Sequence, residues 1–402
     1  MHCNCTLVLY NCIMSYERVY PLPKKSFFLF GPRGVGKSTW VRQNFKSALF
    51  IDLLNHQTFL QLQTNPQDLE SKIAHLKKGS FVVLDEIQKV PALLDEVHRL
   101  MEAKSLQFIL TGSSARKIKR SGANLLAGRA LTHKMYPFSI LELGKKNIRN
   151  LMTYGTLPVV INAIDQAEDT LYSYVQTYLV EEIRQEALVR RLDSFNRFLQ
   201  IAARLNTQVI NFTNIGRETG HSTSLIIEWY SILEDTLLGA RLEPYRPNFK
   251  VRESGHPKFY WFDPGVARVA AQIAATDFGS TEMGASLETL VFNELHIYQE
   301  CSRKMRPIYY YATPSSGEID FVIELKPKTI DRPVEFITLE VKSATKWHRK
   351  FEEASRSLKS FAQNSHKRMF GIYLGNERLT HDGFEVFPLH DFLKALHAGE
   401  IF

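Results

Sequence analysis

The run Gly31-Pro32-Arg33-Gly34-Val35-Gly36-Lys37-Ser38 has the spacing G-x-x-x-x-G-K-S. Glycines at that spacing let successive backbone N–H groups turn inward around phosphate oxygens, and a helix starting there adds its partial positive charge. Lys37 is then placed to reach the β- and γ-phosphates of a nucleotide, and Ser38 to hold Mg2+. Residues 31–38, with Thr39 beside them, are the candidate nucleotide-binding residues. Further on, Phe81-Val-Val-Leu-Asp85-Glu86 ends an apolar run on two acids. Asp85 is the expected metal-side residue and Glu86 the expected general base that polarises an attacking water. Carboxyl pairs after strands are common; the separation of about 50 residues from the phosphate loop makes this pairing specific. A third run, Gln107-Phe-Ile-Leu-Thr111-Gly-Ser113-Ser114, ends on hydroxyls. Thr111 and Ser113 are expected near the γ-phosphate or the water, the plainer reading being a Thr/Ser-rich turn.

Two weaker constellations follow. Arg116, Lys117, Lys119, Arg120, Arg129 and Lys134 form a basic stretch with no acid between Thr111 and Lys134. Arg129 suits an arginine finger acting on a neighbour's nucleotide, and the cluster equally suits a solvated or nucleic-acid-facing edge. Near the C-terminus stand Gly317-Glu-Ile-Asp320 and Leu339-Glu340-Val-Lys342. Residues i and i+2 of a strand share a face, so Glu340 and Lys342 point the same way. Two acids can hold Mg2+ while a lysine orients the water. Glu324-Leu-Lys326 is a competing placement of the same pattern.

These residues need elements to hold them. Strands are expected at Ser26–Phe30, Ala48–Leu53, Ser80–Leu84, Gln107–Leu110 and Leu131–Tyr136. Helices are expected at Ser38–Phe45, Gln57–Thr64, Pro66–Lys77, Pro91–Ala103 and Gly122–Leu126. That alternation implies a parallel sheet covered on both faces. Residues 147–204 read as mostly helical. Phe212–Thr236 then reads as two helices about a Thr-Gly-His turn, before short strands in Leu237–Arg246 and Pro257–Phe262, an order that describes a winged helix. The second helix starts on His221, Ser222, Thr223 and Ser224, but its apolar and acidic remainder leaves DNA contact and protein contact equally open. Arg184, Arg190, Arg191 and Arg197 are offset by Glu181, Glu182 and Glu186 and read as solvated charges. The last segment reads as a helix (Ser286–Glu300), three strands (Pro307–Ala312, Ile319–Leu325, Phe336–Val341), a helix (Lys350–Ala362) and a strand (Arg368–Leu374).

The 402 residues suit two to three domains, and 44% apolar against 23% charged residues excludes a largely disordered chain. No run of ~18 apolar residues predicts a membrane span, and the net charge of +8 is a modest bias toward a polyanion partner. Only four cysteines occur, too few for a secreted, disulfide-stapled protein, so a cytoplasmic location is expected. Cys3, Cys5 and Cys12 precede Met14; a metal site there lacks a fourth ligand, and the plainer reading is a leader without function, with Met14 as the start.

Gly31–Ser38, Leu84-Asp-Glu-Ile-Gln88, Leu110-Thr-Gly-Ser-Ser114, Ala127-Gly-Arg-Ala130 and Tyr136-Pro-Phe-Ser139 resemble prokaryotic AAA-type ATPases. The resemblance implies a P-loop α/β core, a helical and winged-helix middle segment and a restriction-endonuclease-like C-terminal domain. The expected divisions are a leader over 1–14, the ATPase core over 15–145, the middle segment over 146–264 and the last domain over 265–402. Asp320, Glu340 and Lys342 resemble a PD-(D/E)xK nuclease site, which implies Glu288 as an added metal-binding acid. The expected cofactors are ATP and Mg2+. DNA, a second copy of the chain and a protein partner are the candidate partners. The expected function is ATP hydrolysis coupled to a nucleic-acid-directed activity; the alternative is a nucleotide-dependent switch that binds a protein and carries an inactive nuclease-like domain.

Overall fold

The computed structural model describes residues 16–114, 116, 126–179, 192–246, 255–274, 276, 278–313, 317–362 and 364–402. Cys3, Cys5, Cys12, Lys117, Lys119, Arg120, Glu181, Glu182, Glu186, Arg184, Arg190, Arg191 and most of the 122–126 helix lie outside the described residues.

Strand β1 (Phe27–Phe30) is buried along its whole length. With β2 (Leu49–Asp52), β3 (Phe81–Asp85), β4 (Gln107–Gly112) and β5 (Leu131–Lys134) it forms a sheet ordered β2-β3-β4-β1-β5 with every pair parallel. A continuous apolar strand, rather than an alternating one, is what a sheet covered on both faces requires. Phe28, Phe30, Val82, Leu84, Phe108 and Leu110 pack toward α4 (Leu93–Lys104). Phe27, Leu29, Val83 and Ile109 face Trp40 and Val41 of α1 (Lys37–Asn44). Because all strands run one way, the phosphate loop, Asp85 and Thr111 emerge at one edge of the sheet. Helix α2 (His56–Thr64) matches expectation, but α3 covers only Asp68–Lys72. Beyond it Ala74 and Leu76 bond three residues back, so the chain closes in tight turns before β3.

The middle segment begins with α5 (Ile140–Leu143), α6 (Ile148–Tyr154), α7 (Pro158–Ile161) and α8 (Ala167–Ser173), followed by a π-helical turn over Tyr174–Leu179. Next come α9 (Leu192–Arg204), α10 (Phe212–Thr219) and α11 (Thr223–Asp235). Gly220 ends α10 at φ 73°, and the Ser222 hydroxyl caps α11 by accepting from Leu225 N. An antiparallel hairpin of β6 (Gly239–Leu242) and β7 (Lys258–Trp261) follows. Helix α12 (Pro264–Ala270) buries Val266, Ala267 and Val269 in the cluster that holds Phe195 and Phe198 of α9. Its cap, Asp263, accepts from Val266 N at 3.0 Å and Thr156 N at 2.7 Å. It packs with the middle segment.

The C-terminal part opens with α13 (Ser280–Ser302), longer at both ends than the expected 286–300. Its sheet runs β12-β13-β11-β10-β9-β8, from β8 (Ile308–Thr313), β9 (Gly317–Lys326), β10 (Glu335–Lys342), β11 (His366–Tyr373), β12 (Leu379–His381) and β13 (Phe384–Pro388). β8, β9 and β10 are antiparallel neighbours, while β10, β11 and β13 are parallel. Leu287, Leu290 and Val291 of α13 and Leu393 of α15 (Leu389–His397) cover one face. Ala354 and Leu358 of α14 (Glu353–Phe361) cover the other. β12, β13 and α15 were not expected from the sequence.

Candidate functional site

The loop between β1 and α1 turns through Gly34 (φ 83°) and Gly36 (φ 91°), left-handed conformations that a Cβ disfavours. Gly31 is needed for another reason: a Cβ there lies 2.4 Å from the carbonyl oxygen of Met135. Lys37 is buried, and its Nζ donates to the carbonyls of Gly31 (2.7 Å) and Pro32 (3.0 Å). Val35 is buried in the sheet core, while Arg33, Gly34 and Thr39 are exposed at the loop surface.

At the end of β3 the Asp85 carboxylate accepts from Ser38 Oγ at 2.9 Å and, very closely, from Thr111 Oγ1. Thr111 Oγ1 also accepts from Glu86 N at 3.1 Å. Thr111 is fully buried, and its hydroxyl links the Asp85 carboxylate to the Glu86 backbone. Glu86 adopts φ 64° directly after β3, which turns the chain sharply where the carboxylate is presented. Its Oε2 accepts closely from Gln88 Nε2, and the same nitrogen donates to Ser113 Oγ at 3.1 Å. Gln88 is the residue that sequence reasoning missed: it sits in the Asp85–Gln88 run and ties the candidate base to the end of β4. Arg18 is another. It donates to Val35 O in the loop at 2.9 Å, to Tyr136 O at 2.8 Å and to Glu142 Oε1 at 3.0 Å. Burial pushes the Glu142 carboxyl up, and the Arg18 guanidinium opposes that. Above the loop, Tyr174 donates from its hydroxyl to Arg33 O at 2.8 Å, and a cleft of about 510 Å3 is lined by Gly34, Val159, Asp169 and Tyr174.

The Ser38 hydroxyl and Asp85 carboxylate are hard oxygen donors side by side at the phosphate loop, the chemistry that holds nucleotide-bound Mg2+. Among the described residues no group of three or more His, Cys, Asp or Glu side chains is set to hold a metal by itself. Arg129 is elsewhere: exposed, ion-paired with Glu102 at 2.7 Å, and ahead of β5. Leu131 N bonds Ser26 O at the start of β1, so Arg129 lies at the sheet edge opposite its own phosphate loop. Arg116 bridges to Asp235 at the end of α11 at 2.9 Å.

In the C-terminal part the structure brings Asp320, Glu340, Lys342 and Glu288 together. Asp320 Oδ2 accepts from Val341 N at 2.7 Å and lies 3.7 Å from Lys342 Nζ, which also contacts Glu340 Oε1. Lys258, from β7 of the middle segment, enters the same cluster and pairs with Glu288 Oε1 at 3.2 Å and with Glu318. The Tyr260 hydroxyl donates to Glu288 as well. Burial first, and the neighbouring Asp320 second, push the Glu288 carboxyl up to about 7 and raise Glu340 well above the carboxylate range. Burial works against the charge of Lys342, but Asp320 and Glu340 outweigh it and hold its ammonium above the ordinary lysine value. Oxygen-rich and buried, the cluster is chemically suited to a divalent cation, but its carboxylates are engaged by two lysines instead of converging on one point. Glu324 and Lys326 do not compete: Lys326 is 63% exposed and pairs with Glu335 at the far end of β9. Lys258, Tyr260 and Glu318 were not predicted to belong here; the signal for Glu318 stood beside Asp320, but nothing local points to Lys258.

Residues 23–144 match the family model described as an AAA domain. Residues 145–277 and 283–392 match two domains of unknown function, DUF8612 and DUF4143. The match over residues 145–277 includes α12. An uncharacterized protein from Haemophilus influenzae is 24% identical over 281 residues, covering 65% of this chain and 68% of that protein. The structure of Can2 from Sulfobacillus thermosulfidooxidans in complex with cyclic tetra-adenylate aligns over 94% of this chain and 97% of that one, at 10% identity and a TM-score of 0.18, a likeness that carries no argument. No helix of the described residues is long and apolar enough to cross a membrane. Together with the phosphate-loop geometry, the match over residues 23–144 makes the N-terminal part similar to an AAA domain, a likeness that suggests nucleotide binding.

Proposed function

We propose that the protein binds ATP with Mg2+, hydrolyses it, and couples turnover to a nucleic-acid-directed activity of its C-terminal part. The observation that carries the ATPase reading is the contact of Ser38 and Thr111 with one Asp85 carboxylate beneath a glycine-turned loop. In this reading Ser38 and Asp85 hold the nucleotide's Mg2+, which neutralises phosphate charge when bound. Lys37 leaves the loop carbonyls for the β- and γ-phosphates, and Glu86 takes the proton of the attacking water. In this reading Arg129 acts on a neighbouring chain's nucleotide. For the C-terminal part, the reading is a winged helix in α9–β7 followed by a nuclease-like α-β-β-β-α-β fold, with Asp320, Glu340 and Glu288 holding a divalent cation and Lys342 orienting water. Support comes from the antiparallel β8–β9–β10 run continuing into parallel β11, flanked by α13 and α14.

The test of the ATPase is a pair of variants. Lys37→Ala loses ATP affinity or turnover steeply. Glu86→Gln still binds ATP and hydrolyses it roughly two to four orders of magnitude more slowly. Unchanged binding and turnover in Lys37→Ala sinks the assignment; a sharp loss in Asp85→Asn but not in Glu86→Gln moves the base. The second reading, a nucleotide-dependent switch with a silent C-terminal site that binds a protein, is favoured by the lysines occupying the carboxylates. Salt separates the two: DNA contact through phosphates weakens steeply as salt rises, and a protein-only switch binds no DNA at low salt.

A further inference from the structure

Lys258 is 2% exposed, and a lysine that deeply buried must be paired. Its partners do not come from its own segment. Glu288 belongs to α13 and Glu318 to β9, while Lys258 lies on the second strand of the middle-segment hairpin. Tyr260, two residues along β7 and therefore on the same face, donates to the same Glu288 oxygen, and Nζ stands 5.4 Å from the Tyr310 ring centroid. Among the described residues, the four carboxylates of Glu288, Glu318, Asp320 and Glu340 face two ammonium groups, Lys258 and Lys342. Glu340 Oε2 is buried and accepts no hydrogen bond among the described residues. A cavity of about 190 Å3 runs from Pro32 of the phosphate loop past Gly239 and Ala240 of β6 to Tyr260 of β7.

We propose that the Lys258 ammonium is a tethered cation of the C-terminal carboxylate cluster, and that a divalent cation binds there only in competition with it. This rests on the reading of the cluster as a metal site and adds its regulation: the hairpin that follows α11 decides whether the metal enters. In this arrangement the ammonium pairs with Glu288 and Glu318. Withdrawing β7 frees two carboxylates at once.

The test is Mn2+ binding to the nucleotide-free full chain, read as loss of the free-ion EPR signal, for the parent, Lys258→Gln, Asp320→Asn and the double variant. A tethered competitor lowers apparent affinity by the fraction of time it occupies the site, so Lys258→Gln binds about tenfold or more tightly than the parent, and Asp320→Asn abolishes the gain. Equal, Asp320-dependent affinity in parent and Lys258→Gln overturns the tethered cation and leaves the metal site standing. No Asp320-dependent binding in either overturns the metal site and the proposal with it. Because removing one member of a buried pair can unfold a domain, the parent is also probed directly by acylating its lysines with and without saturating Mn2+ and mapping the products by mass spectrometry. Displaced Lys258 becomes reactive when Mn2+ binds; unchanged protection of Lys258 at saturation overturns the proposal.

Discussion

Gln88 shows how much of the candidate chemistry hangs on single hydrogen bonds. Its Nε2 joins the Glu86 carboxylate to Ser113, and its side chain is buried under the end of β4. Without it, Glu86 keeps its φ of 64° but loses the donor that aims its carboxylate. Misaiming a base by an ångström costs up to about 100-fold, so Gln88→Ala should lower kcat roughly 10- to 100-fold and leave ATP affinity nearly unchanged. The buried Ser113 hydroxyl loses a partner as well, which costs about 1–3 kcal/mol of stability in denaturant titration. A parent-like kcat in a folded Gln88→Ala protein shows that Glu86 needs no such support.

Among the elements, β1 and its loop carry the tightest constraint. The end of β1 passes so close to the backbone just after β5 that Gly31 has no room for a side chain, and the opposing atom is the Met135 carbonyl, which cannot swing aside. Gly31→Ala therefore pushes the loop off its course; an overpacking penalty of about 1–3 kcal/mol is expected, together with loss of ATP binding. Ser222→Ala is the matching control. It removes the α11 cap, costs about 1 kcal/mol and leaves ATP binding alone. Isothermal titration beside denaturant unfolding distinguishes the two, and equal nucleotide affinity in Gly31→Ala and parent refutes the constraint. Helix α11 owes its place to more than its cap: Asp235 at its end pairs with Arg116, just beyond β4.

For the whole molecule, the meeting of the three parts leaves a pH signature. His296 of α13 lines the cavity beside Pro32, with its ring stacked on Tyr136 at 5.9 Å and Lys134, Glu234 and Asn293 around the same space. Burial, aided by the Lys134 cation, lowers its pKa from 6.5 to about 4. The unfolded chain thus takes up a proton that the folded chain refuses, and stability is lost as pH falls from about 6.5 to about 4. Glu288, raised to about 7, acts in the opposite sense over part of that range, so the variant has to be compared with the parent. His296→Phe keeps the ring and removes the proton site; its unfolding free energy should fall less steeply between pH 6.5 and 4.5. Superimposable slopes for parent and variant show that His296 protonates freely in the folded state.

The nucleotide site was legible because its parts are contiguous. Gly31–Ser38 must turn, bind and start a helix within eight residues, and the candidate residues Asp85 and Thr111 stand at the ends of β3 and β4, so local spacing carries the chemistry. Ser38 and Asp85 were assigned to one metal, and they lie 2.9 Å apart. Thr111 and Arg129 show the limit. Both residue types fit a role at the phosphates, but only the register of β1 against β4 and β5 turns Thr111 beneath Asp85 and leaves Arg129 at the opposite sheet edge. The closing strands β12 and β13 and helix α15 escaped notice because a short strand pairs with sequence-distant neighbours, and its burial is set by them. Lys258 is the clearest case. In the sequence it is one lysine among many, separated from Glu288 by a helix and from Asp320 by a strand as well. Its low exposure and its ion pairs exist only because the hairpin of one segment folds against the sheet of another, and electrostatic partnership depends on distance in space, which a linear spacing does not record.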